Sequence, residues 1–178
     1  MTADVAAVQT LLRERGAESI EHPGGTLYAH LLRVADRLER LGAPEHVRVA
    51  GLAHAVYGTD GFDAVLVDPG HRELVRAVAG AAAEELVYRY GACDRARTWR
   101  ALASSRRVVD RFTGEAEDLD DAALRNFVDL TVVNELDVIE QSPTMAARHG
   151  AALRTLFATW EPLGSPTVMT DARATLPS

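Results

Sequence analysis

Two histidines, His30 and His54, stand where their imidazoles can meet. In "LYAHLLRVADRLERLG" one helical stripe carries Leu27, His30, Leu31, Val34, Leu38 and Leu41. In the next segment, "PEHVRVAGLAHAVYG", Val47, Ala50, Gly51 and His54 share a face. If the two helices pack as an antiparallel hairpin, both rings enter the core, where an unpaired imidazole is costly. A lone His on an apolar stripe is ordinarily a core histidine satisfied by hydrogen bonds. Two on facing helices form a chemical pair. They could work as general base and general acid, or as two nitrogen ligands of a single Zn or Fe(II).

Other groups could complete either arrangement. His22 lies in the turn "EHPGGT", able to reach over a pocket or to remain a surface residue. Tyr57 could donate its phenol to a substrate or simply pack with one hydrogen bond. Asn134 interrupts a helical stripe through Phe127, Leu130, Asp137 and Gln141, where its propensity is poor, so a partner should satisfy it. His22, or an acid among Asp60, Glu135 and Asp137, could supply a third metal ligand. Asp137 could also contact substrate directly. Arg95, Arg97 and Arg100 in "DRARTWR" suit either a salt-bridged surface or recognition of an anionic substrate group. Cys93 reads as packing, and His46, His71 and His149 sit beside charged or exposed positions with no role.

The chain has 178 residues, a net charge of −7, 47% hydrophobic and 25% charged residues, as expected of one soluble domain. All 19 basic residues are Arg, which excludes Schiff-base lysine chemistry and a P-loop lysine. The acidic balance without a basic cluster argues against nucleic acid as a partner. One cysteine cannot form an intrachain disulfide, and no apolar run is long enough to span a bilayer. A cytoplasmic small-molecule protein is expected. No nucleophile elbow, dinucleotide fingerprint, His-Glu-x-x-His or Cys-x-x-Cys motif occurs.

The elements that must hold these residues are helical almost throughout. Thr26 is placed to cap the His30 helix, Pro44 to open the next and Gly58 to close it. "GTDGFDAVLVDPG", residues 58–70, is the one stretch that could be extended, read as an irregular loop at the pocket that could act as a lid. Helical patterns resume at "HRELVRAVAG", "AAAEELVYRYGAC" and "DRARTWRALASS". An acidic break, "TGEAEDLDD", precedes the long segment "AALRNFVDLTVVNELDVIEQ" and then "TMAARHGAALRTLFATWEPLG". The prediction is an all-α bundle of roughly seven helices. Residues 1–164 form a single domain and 165–178 a flexible tail.

"GGTLYAHLLRVADRLERLG…HVRVAGLAHAVYGT" resembles the first metal-binding half of HD-domain proteins, particularly guanosine-tetraphosphate hydrolase domains. There one helix carries His followed by Val-Ala, and a second ends in Leu-His-Asp. Here His30 is followed by Val34 and Ala35, and "AGLAHA" replaces the Leu-His-Asp element. The last family ligand, an Asp in a later helix, aligns with Asn134 in "LTVVNELDVIEQ". The resemblance is good over residues 25–60 and weak over 126–141. The His-Pro-Gly-Gly-Thr-Leu and Ala-Gly-Leu-x-His-x-x-Tyr-Gly-Thr elements also resemble a small bacterial family without an assigned activity.

The resemblance implies an HD-like bundle, with a dinuclear metal site bridged by the Asp of the His-Asp pair. Ala55 has no ligand atom and Asn134 offers only a neutral carbonyl, so a dinuclear site is not expected. The cofactor is then either none or one divalent metal, Zn or Fe, on His30 and His54. The expected function is a small enzyme performing proton transfer, hydrolysis or rearrangement on a small molecule, such as a biosynthetic tailoring step. Its catalytic residues would be His54, His30, His22, Tyr57 and Asn134, with Arg95, Arg97 and Asp137 binding substrate. The rival is a non-catalytic ligand-binding protein on the same scaffold. Ala55 and "YGTDGF" disfavour an alarmone-type phosphohydrolase. Oligomeric state stays open, a homodimer included.

Overall fold

The structure, a computed structural model, describes residues 3–176. Helix α1 (Val5–Glu14) starts at Asp4, whose carboxylate accepts the Ala7 N–H at 3.0 Å. A short hairpin of β1 (Glu21–His22) and β2 (Gly25–Thr26) then leads into α2 (Leu27–Arg40). Thr26 accepts the Ala29 N–H at 3.2 Å, the cap its position predicts. Helix α3 (Glu45–Ala53) returns against α2. A Cβ on Gly51 would sit 2.5 Å from Leu38 Cδ1. The missing side chain therefore lets α3 approach α2 closely one turn before His54.

Helices α4 (Arg72–Ala79) and α5 (Ala81–Ala92) form a second hairpin packed on α1 and α3. The segment expected as one helix from Asp94 splits into two four-residue helices, α6 (Arg95–Thr98) and α7 (Leu102–Ser105). Strands β3 (Arg107–Val109) and β4 (Ala116–Asp118) follow as an antiparallel hairpin, pairing Val108 with Glu117. The sequence reading missed this hairpin, because its outer positions are charged and one side chain, Val108, is buried.

Helix α8 (Asp121–Gln141) is the central pillar, contacted by α2, α3, α5 and α9 (Pro143–Trp160). Its buried residues point all round, from Phe127, Leu130 and Val133 to Asn134 and Asp137. A helix so enclosed must satisfy its polar side chains internally.

The mostly-α expectation holds, with ten α-helices among the described residues against about seven expected. The C-terminal segment is corrected. Pro166–Thr175 forms α10, which buries Val168, Met169 and Ala172 against α8 and α9. Arg37 fastens it by hydrogen bonds to Asp171 at 2.7 Å and Thr175 at 2.8 Å. The apolar positions 168, 169, 172 and 176 have helical spacing, so burial outweighs the polar residues between them. Residues 177 and 178 of the expected tail lie outside the described residues. No described helix is long and apolar enough to cross a membrane.

Candidate functional site

Helix α3 stops at Ala53, and His54 caps it. Its Nδ1–H donates to the Gly51 carbonyl at 2.8 Å, one of the oxygens an ending helix leaves unpaired. That bond fixes the tautomer and leaves Nε2 as an unprotonated acceptor. From α2, His30 donates its Nδ1–H to Asp137 on α8 at 2.6 Å. Its Nε2 lies 3.0 Å from Asn134 Oδ1 and 3.3 Å from His54 Nε2. Asn134 donates its side-chain N–H to Glu135 at 2.9 Å, which turns its carbonyl towards His30. Nδ1 of His30 thus faces the Asp137 carboxylate, and its Nε2 faces Asn134 and His54.

Asp137 is almost fully buried and also accepts two N–H groups of Arg33, at 2.7 and 2.9 Å. Burial pushes its carboxyl up, but the hydrogen bonds from His30 and Arg33 outweigh this and hold it at about 2. The same Arg33 donates to the carbonyls of Pro23 and Gly24, seating the β1–β2 turn. At Gly24, φ is 80°, a left-handed conformation that favours glycine in this turn. The turn carries His22, whose ring stacks on His30 with centroids 4.0 Å apart. His22 Nδ1 is buried without a hydrogen-bond partner.

Burial, then the neighbouring His30, depresses both remaining imidazoles, His54 to about 3 and His22 to about 4. Both are neutral near pH 7, when their unfolded-chain counterparts would titrate close to 6.5.

These groups form the floor of a pocket of about 920 Å³. Its walls are mostly apolar, with Leu27, Phe62, Trp99, Val138, Met145 and Leu156 prominent. Thr59 and Phe62 exchange backbone hydrogen bonds of 3.0 and 2.9 Å, closing a tight turn with Asp60 and Gly61 at its tip. That turn sets Phe62 edge-on to His22, with centroids 5.3 Å apart. Asp60 accepts the Arg95 N–H at 2.9 Å. The Arg95 guanidinium donates to Glu135 and to the Tyr90 hydroxyl, both at 3.0 Å, and lies 4.7 Å from the Trp99 ring.

The structure brings His22, His30, His54, Asn134 and Arg95 to this pocket. Three sequence expectations are corrected. Tyr57 is away from it, its hydroxyl donating at 3.0 Å to Glu84, a fully buried carboxylate also gripped by Arg72 and Arg76. Burial first, then the Glu84 charge, raises that phenol above its ordinary range. Arg97 is exposed and outside the lining, because α6 turns its wall-facing side at Arg95 and Trp99. Asp137 stands behind His30 and does not line the pocket. Sequence reasoning missed Arg33, Phe62, Trp99 and the whole α9 wall. Met145, His149, Leu153 and Leu156 recur at helical spacing, so a signal for that wall was present.

Among the described residues, no group of three or more His, Cys, Asp and Glu side chains is arranged to hold a metal ion. The dinuclear centre implied by the HD resemblance does not fit. Ala55 presents a methyl at its bridging position and Asn134 a neutral amide.

Residues 11–95 match the model of a family described as a domain of unknown function (DUF6817). The match spans just under half of the chain, from within α1 to the start of α6. It includes His22, His30 and His54, but neither Asn134 nor Asp137. No curated protein and no solved structure matches the chain.

Proposed function

We propose that the chain is a cytoplasmic enzyme on an HD-like helical scaffold, moving a proton on a small molecule with His30 and His54. The observation that carries this reading is the unprotonated Nε2 of His54. It lies 3.3 Å from His30 Nε2 at the floor of a pocket of drug-like size. His30 donates its Nε2–H to an oxygen of the substrate, while Asp137, held by Arg33, keeps the ring oriented. His54 takes a proton from the adjacent carbon or from a water.

A base held near 3 is weak at the start, and part of that depression comes from His30. Once His30 has given its proton to the substrate, that part is lifted and His54 becomes more basic. Each positioned acid or base of this kind contributes roughly 10²–10⁴ in rate. Asn134 keeps the two rings in register, and His22 covers the floor from the turn.

One observation favours a second reading, a single divalent metal. His30 Nε2, His54 Nε2 and Asn134 Oδ1 converge, and their 3.3 and 3.0 Å separations suit ligands about 2.1 Å from one ion. Each ring also donates from Nδ1 to a backing acceptor, as ligating histidines do. Zn or Fe(II) there would supply Lewis acidity or an activated water.

Two measurements separate the readings. Metal analysis would use untagged protein purified without chelator and then challenged with Fe(II), Mn(II) and Zn(II). Solvent-deuterium exchange at carbons beside a carbonyl would be followed by NMR over a panel of ketones. Metal-free protein that exchanges deuterium, with loss in His54→Asn, is the expected result. Near-stoichiometric metal that disappears in His30→Ala/His54→Ala would replace this reading with the metal one. Ligand binding with neither metal nor exchange would leave the non-catalytic rival.

A further inference from the structure

We infer that this pocket takes an uncharged, largely apolar molecule bearing one hydrogen-bonding oxygen at the end that meets His30 and His54; this rests on the pocket being the functional site proposed above.

Arg95, Glu135 and Asp60, three charged residues of the lining, already have partners. Arg95 and Glu135 form an ion pair at 3.0 Å, and Glu135 also accepts from Asn134. Arg95 further donates to Tyr90, and its guanidinium lies against Trp99. The Asp60 carboxylate is engaged by the Arg95 backbone N–H. Arg100 is the remaining arginine of the lining, and it is exposed to solvent.

A carboxylate, sulfonate or phosphate entering this space would lose its water, and the lining arginine left to pair with it, Arg100, is exposed to solvent, where an ion pair gains little. An apolar body loses nothing of that kind. It would lie against Leu27, Trp99 and Val138 and against Met145, Leu153 and Leu156 of α9. The polar floor offers His30 as donor and His54 as acceptor within a few ångströms of each other. One carbonyl or hydroxyl oxygen is what that floor can satisfy, and a more heavily oxygenated molecule would leave polar atoms unpaired.

Two dyes with the same skeleton test the charge preference directly. N-phenyl-1-naphthylamine is neutral, and 8-anilinonaphthalene-1-sulfonate carries that skeleton with an added anion. Both are titrated into the full chain at pH 7.5, reading dye emission and quenching of Trp99 in the pocket wall. The neutral dye should bind at least tenfold more tightly. Leu156→Trp, which fills the pocket from α9, should weaken it at least tenfold, with circular dichroism confirming the fold. Met145→Trp does the same from the other end of that face if the first variant fails to fold. Equal or tighter binding of the sulfonate overturns the inference. So does neutral-dye binding that folded Leu156→Trp and Met145→Trp both leave intact.

The deuterium-exchange panel keeps this inference apart from the acid–base reading. If the dyes behave as stated but no ketone exchanges, the acid–base reading fails and the ligand class stands. If exchange occurs only with anionic carbonyl compounds, the acid–base reading stands and the ligand class fails.

Discussion

Acidification should unfold this protein through His54, by an amount its burial sets. The ring is neutral in the fold, with its protonation depressed to about 3, against an ordinary 6.5 in the unfolded chain. At pH 7 both states are neutral and the residue adds no pH dependence. Below 6.5 the unfolded chain binds a proton that the folded chain refuses, so stability falls as pH falls, until about 3. Between pH 7 and 4.5 this covers two pH units below 6.5, at about 1.4 kcal/mol each, or about 2.7 kcal/mol. That is a large share of the roughly 5–15 kcal/mol that holds a typical domain.

The test is urea unfolding with chelator at pH 7.0 and 4.5, comparing the wild type with His54→Asn. Asparagine keeps an N–H for the Gly51 carbonyl and cannot titrate. The variant should lose about 2.7 kcal/mol less than the wild type on acidification, while carboxylates common to both cancel. If both lose the same within about 0.5 kcal/mol, His54 is not held neutral by burial, and the argument for its unprotonated Nε2 falls with it.

Asp137 gives the opposite half of the acid profile. Held at about 2, it contributes about 2.5 kcal/mol above its unfolded value of 3.8, lost as pH falls towards 2. Asp137→Asn should therefore cost about that much at pH 5 and far less at pH 2.5, by the same unfolding assay. Tyr57→Phe removes a donor from buried Glu84 and should lower stability by about 1–3 kcal/mol, with dye affinity and deuterium exchange unchanged. Met169→Ala should cost about 2–5 kcal/mol in chemical denaturation, as for any buried Met; a cost near zero would mean that α10 does not hold the core.

The helices that carry His30 and His54 were legible because their apolar spacing is regular and their ends are marked by Thr26, Pro44 and glycines. The meeting of the two imidazoles followed from that hairpin, and Asn134 betrayed itself by standing on a buried stripe. What the pattern could not show was direction. Asp137 is one turn from Asn134, yet it approaches His30 from behind, because α8 is enclosed and presents successive turns to different neighbours. Tyr57 was misplaced for a related reason. Helix α3 unwinds at His54, so residues past it leave the helical face, and the phenol swings to Glu84. The pocket's far wall needed tertiary information, since nothing in α9 says which of its faces stands opposite an imidazole. The β3–β4 hairpin was hidden by its charge, and α10 by polar residues between its three buried ones.

Arg33 ties the turn that carries His22 to the ring of His30 at the pocket floor. One guanidinium grips both the Pro23 and Gly24 carbonyls of the turn and the Asp137 carboxylate behind His30. Any guest that displaces the turn must loosen that grip and so alter how firmly Asp137 and His30 hold their shared hydrogen. Occupancy and the seating of the turn thereby become one coupled equilibrium, each biasing the other by the same free energy. Arg33→Ala, which removes that grip, should therefore change the heat of filling this pocket, a calorimetric signature that a rigid cavity lined by inert side chains would lack.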